Sequence, residues 1–73
     1  MGHPTIDFLK RNGFRQKGEL PNVLINDKCE VRIYDAQYEV ESPEGVMYST
    51  TLSIYWLIGL LTHRGYIQKE YKN

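Results

Sequence analysis

One cysteine, Cys29, stands in a chain of 73 residues, so no internal disulfide can form. Histidine is nearly as scarce. His3 and His63 lie far apart, and neither belongs to a recognisable set of zinc ligands. There is no Asn-x-Ser/Thr acceptor, and Ile6 stands where N-myristoylation needs Ser or Thr. No apolar run approaches the about 20 residues that a membrane-spanning helix needs. With one cysteine and no signal sequence, the expected setting is reducing, intracellular and cytoplasmic, and no metal, cofactor or membrane partner is expected.

An excess of charge of one sign is also missing, with nine Lys and Arg against nine Asp and Glu. The distribution is uneven, however. Lys10, Arg11, Arg15 and Lys17 form a basic cluster, while Glu30, Asp35, Glu39, Glu41 and Glu44 form an acidic stretch relieved by Arg32. Arg64, Lys69 and Lys72 make the C-terminal end basic again. The molecule is dipolar, which suits contact with a charged partner. A chain of this size buries only about 60% of the surface that it exposes when unfolded. Small domains of this kind lean on a disulfide, a metal or a second copy, and here the composition leaves the second copy open.

Residues 1–73 are read as one small domain, with no internal repeat or linker. "HPTIDFLKRNG" predicts a short helix: Pro4 suits its first turn, Asp7 its positive end and Lys10 and Arg11 its negative end, and Gly13 stops it. "FRQKGELPN" reads as a turn-rich connection anchored by Phe14. "NVLIN" is a short apolar run and "NDK" a turn. "CEVRIY" and "AQYEVE" alternate, with Cys29, Val31, Ile33, Ala36, Tyr38 and Val40 on one face. "SPEG" is a turn, because Pro43 fixes φ and Gly45 accepts positive φ. "VMYST" returns as a further strand. The expected fold is α+β: an N-terminal helix, an antiparallel meander of three to four strands, and a C-terminal helix, with both helices on one face of the sheet. The other face, left to water, carries Glu30, Arg32, Tyr34, Gln37, Glu39 and Glu41. "YIQKEYKN", residues 66–73, is expected to form an edge strand over 66–71 or a docked tail.

"TLSIYWLIGLLTHRGY", residues 51–66, is the second helix, with Ser49, Thr50 or Thr51 as N-cap and Gly65 at its C-terminal stop. At about 100° per residue, Leu52, Trp56, Leu60, Leu57, Leu61, Ile54 and Ile58 fill a broad arc. A helix on a sheet hides a stripe somewhat over 100° wide, so one flank of this arc needs further cover. The first helix can supply it, and so can a second copy across a two-fold axis or another protein. Tyr55, Gly59 and Thr62 lie along one line and would form a shallow groove. An interior glycine costs about 1 kcal/mol against alanine, and close approach of another backbone is the usual reason to keep one. The expected protein interface is therefore Tyr55, Trp56, Gly59, Leu60 and His63. A second contact surface is expected at Glu30, Arg32, Tyr34, Glu39 and Glu41.

The patterns that carry catalysis are weak. Cys29 alternates with inward-facing Val31 and Ile33, as a buried thiol would. His63 suits the negative end of its helix. Glu39 and Glu41 project from an open sheet face, where no cleft excludes water. Gly13 and Gly18 do not make a phosphate loop. The helix–sheet–helix order resembles the double-stranded-RNA-binding arrangement, and "FLKRNGFRQKGE" resembles the first helix and turn of HicA-type mRNA-cleaving toxins. That second resemblance covers about a sixth of the chain. In that family a catalytic histidine follows the "KG" turn closely, whereas here Glu19, Leu20 and Pro21 follow Gly18, so the resemblance does not imply ribonuclease activity. The expected function is a small non-enzymatic binding or accessory protein, of bacterial or phage style, that pairs with itself as a homodimer or with another protein. The alternative is a nucleic-acid-binding regulator using Lys10, Arg11, Arg15 and Lys17.

Overall fold

The computed structural model describes residues 3–68. The elements run α1 (Pro4–Arg11), β1 (Arg15–Lys17), β2 (Leu20–Ile25), β3 (Glu30–Ile33), β4 (Tyr38–Glu41), β5 (Met47–Thr50) and α2 (Ile54–His63). The five strands form one antiparallel sheet in sequence order, β1-β2-β3-β4-β5. The chain is thus α+β, as expected, but the sheet holds five strands rather than three or four. The extra strand is β1, inside the segment expected to be a connection. It is three residues long, all three are exposed and polar, and its register against β2 shifts between Gln16 and Lys17, so no apolar alternation marks it. β2 also begins earlier than the apolar run suggests. Pro21 is tolerated there because β3 pairs with β2 only at Val23–Ile25.

The turns follow local chemistry. Asn26 Oδ1 accepts the backbone N–H of Lys28 and of Cys29, each at 2.8 Å, and so turns the chain between β2 and β3. Between β4 and β5, Ser42 N–H donates to Val46 O at 2.9 Å around Gly45, whose φ is +88°. The two helices end alike. Gly13 N–H donates to Lys10 O and Phe14 N–H to Leu9 O, while Gly65 N–H donates to Thr62 O and Tyr66 N–H to Leu61 O. In each helix a glycine at positive φ lets the chain turn back over the last carbonyls, and the aromatic residue after it packs with the core. His3, given no role in the sequence, caps α1: its Nδ1 accepts the Thr5 N–H at 3.2 Å. At α2 the cap is Ser53, later than the expected Ser49, Thr50 or Thr51, because β5 takes up Ser49 and Thr50.

One face of the sheet supplies Leu24, Val31, Ile33, Tyr38 and Val40 to a core shared with Phe8 and Leu9 of α1 and Leu57 and Leu61 of α2. The cross-strand pairs Leu24–Val31, Val31–Val40 and Val40–Tyr48 carry this face across the strands. Both helices therefore cover the same face. Thr5 Oγ1 and the Tyr38 hydroxyl share a buried hydrogen bond of 2.8 Å that ties α1 to β4. Ile67 is buried beyond α2, and Asn26 Nδ2 donates to Tyr66 O at 3.0 Å. The strand or tail expected over 66–71 lies in part outside the described residues.

Candidate functional site

The broad apolar arc of α2 divides into three parts. Leu57 and Leu61, at its centre, are fully buried on the sheet. Ile54 and Ile58 are half-buried on the flank where α1 brings Pro4, Phe8 and Arg11 alongside. On the opposite flank Leu60 is half-buried, while Trp56 is 67% exposed and Tyr55, at the outer surface, 82% exposed. The described chain thus covers one flank and leaves the other bare.

That bare flank is one wall of a groove of about 660 Å³, lined by Tyr55, Trp56, Gly59, Leu60 and His63 of α2 and by Met47, Tyr48, Ser49 and Thr50 of β5. All five residues expected from the sequence to form a protein interface meet here. The four strand residues were not expected. Their signal lies in charge: residues 46–62, from before β5 almost to the end of α2, include no Asp, Glu, Lys or Arg. A Cβ placed on Gly59 would meet nothing within 4 Å, so nothing inside the described chain explains a glycine there. At the groove's end the Arg64 guanidinium stacks on the Tyr48 ring, 4.4 Å from its centroid.

β5 is also an edge of the sheet. Tyr34 N–H donates to Gln37 O at 2.9 Å, and antiparallel alternation from that pair turns Tyr38 and Val40 of β4 toward β5. Their opposites, Thr50 and Tyr48, face back toward β4, so Met47 and Ser49 direct their backbone N–H and C=O groups outward. The opposite edge, β1, is short and bulged and carries Arg15 and Lys17, features that discourage strand addition. β5 is one residue longer, keeps a regular register against β4 and carries no charged residue.

The expected second surface is an ion-pair cluster on the outer sheet face. Arg32 Nε lies 2.9 Å from Glu30 Oε2, its Nη1 3.7 Å from Glu39 Oε1, and its Nη2 pairs with Glu41. Lys17 Nζ reaches Glu30 Oε1 at 2.8 Å. Burial opposes the Arg32 charge, but the bond to Glu41 and the charges of Glu30 and Glu41 outweigh it and raise the guanidinium above its ordinary value. Tyr34 lies at the end of this face, half-exposed beside the β3–β4 turn, where it also borders a cleft with His3, Asn22 and Leu52.

Of the expected nucleic-acid residues, two lie in α1 and two, Arg15 and Lys17, in β1, and all four are exposed. Lys10 and Arg11 lie at the exposed end of α1, and Arg11 borders a polar cleft with Asn12, Asn26 and Lys28. Lys17 instead turns to Glu30. Cys29 is buried, and burial, followed by the nearby Asp27 charge, pushes its thiol from 9.0 up to about 12. Among the described residues no group of three His, Cys, Asp or Glu is placed to hold a metal, and no helix is long and apolar enough to cross a membrane.

Comparison with protein-family models, with curated proteins and with solved structures finds no match for the chain.

Proposed function

We propose that the chain is a non-enzymatic intracellular binding module that works through protein contact at the groove between β5 and α2. The observation that carries this reading is the exposed Trp56 and Tyr55 standing beside β5, an uncharged sheet edge that no strand among the described residues pairs with. Exposed large aromatics next to a strand edge are costly in water and suit a partner that supplies both apolar cover and backbone hydrogen bonds. Gly59 fits the same reading, because a residue without a side chain admits close approach along the helix. The candidate chemical groups are arranged for stability. Cys29 is buried as a neutral thiol, and Glu30, Glu39 and Glu41 surround Arg32 on an open face. The His63 side chain, on the groove rim, has no hydrogen-bond or ion-pair partner among the described residues.

A photo-reactive amino acid in place of Tyr55, introduced in native cells, tests the reading against the outer-face surface. Cross-links from position 55 to protein, reduced by a second change of Trp56→Glu, are the expected result. Cross-links from position 39 and none from position 55 would move the contact to the acidic face and overturn it.

A further inference from the structure

We infer that β5 pairs antiparallel with the β5 of a second copy across a two-fold axis, joining two five-stranded sheets into one and closing their grooves against each other. This rests on the groove being a protein-contact site, and it names the partner. The outward N–H and C=O groups of Met47 and Ser49 call for an extended strand rather than a helix or a small ligand. β5 itself carries no charged side chain, and the charges beside it are both cations, Arg32 at Met47 Sδ (3.6 Å) and Arg64 over Tyr48, so a basic segment is disfavoured, while residues 46–62 offer an uncharged strand. Two copies of β5 bring no like charges together. The β1 edge, with Arg15 and Lys17, would do so.

Closure argues in the same direction. A peptide added to β5 would leave its own outer edge open. A two-fold pairing satisfies both edges at once and leaves only the two protected β1 edges outside. Apolar cover argues the same way. Two copies bring together two Trp56 rings, each largely exposed in the single chain, with Tyr55 at the margin. At about 150–250 Å² for each fully buried ring, the two Trp56 rings supply roughly a third of the ~1,200 Å² at which stable interfaces begin. Met47, Leu60 and the paired backbones lie in the same contact.

Sedimentation of the whole chain over a range of concentrations, with amide hydrogen exchange at both extremes, tests the inference. The expected mass rises from one chain to two. The Met47 and Ser49 amides should exchange fast in the dilute sample and slowly in the concentrated one, while Tyr48 and Thr50 are protected in both. The double variant Met47→Lys/Ser49→Lys should remain a single chain, with association at least about ten-fold weaker, because lysines then face each other across the axis. Those lysines stand opposite Glu41 and Glu39 within their own sheet, so the fold is kept, and a melting temperature equal to that of the native chain in the dilute, single-chain range checks this. A mass fixed at one chain overturns the inference, as does a dimer in which the Met47 and Ser49 amides stay fast or which the lysines leave intact. A single-chain mass with cross-links from position 55 to a different protein removes the second copy but leaves the groove as a contact site. A single-chain mass with no such cross-link removes both.

Discussion

Trp56 and Leu57 are neighbours in sequence and opposites in environment: one ring is 67% exposed, and the other side chain is fully buried on the sheet. Hydrophobicity alone does not separate them; their angular position on α2 does, because the sheet covers a stripe and α1 covers one flank of it. Cys29 shows environment acting on chemistry at the same scale. Its thiol ionises near 9.0 when free and near 12 in the fold, because burial, and then Asp27, disfavours the thiolate. The folded state therefore holds the proton more tightly than the unfolded state. The Cys29 contribution is fully present below pH 9.0 and is lost as pH rises toward about 12. Comparing urea unfolding of the native chain with that of Cys29→Ala isolates this from tyrosine titration. The stability gap between them should be level from pH 7 to 9 and narrow above that. A gap that is constant to pH 10.5, or that widens, would show that the thiol is not protected in this way.

Among the elements, β3 and β4 place Glu30 directly opposite Glu41 and Arg32 opposite Glu39. Like charges facing across strands are unfavourable, and Arg32 offsets this by bonding to both Glu30 and Glu41. Arg32→Met should cost about 1–2 kcal/mol at low salt. Its stability should then rise on going to about 1 M salt, where the screening length falls to ~3 Å, while that of the native chain falls or holds. Urea titrations at the two salt levels check this, and a variant weakened by salt in parallel with the native chain would count against the cluster's role. β3 and β4 were legible from their alternation because one face meets the core and the other meets water. β1 was not, since a three-residue strand of exposed polar residues puts no apolar side chain in the core and writes no pattern. For the groove, the helix wall could be read from the width of the apolar arc. The β5 floor could not, because periodicity within a strand does not tell that the strand is an edge, nor which flank of α2 the first helix leaves bare.

For the whole molecule, the question is how its charges are deployed. Positive and negative charges balance, yet the basic residues of α1 and β1 and the acidic outer face lie side by side, bridged by Lys17 and Glu30. Phosphate-tracking proteins instead gather unpaired cations on one face, and their affinity climbs steeply as salt falls. Here one candidate cation, Lys17, already has a carboxylate partner, and the groove carries no charge from residues 46–62. Fluorescence anisotropy with random duplex RNA and duplex DNA should therefore show no binding at low salt, the condition most favourable to phosphate contacts. Affinity that appears at low salt, falls steeply with added salt and is lost in Lys10→Glu/Arg11→Glu would put the molecule's working surface at the end of α1. The edge strand and its aromatic wall would then lose their claim to the function, because the sheet's acidic face would be shaping where nucleic acid can lie rather than which protein can dock.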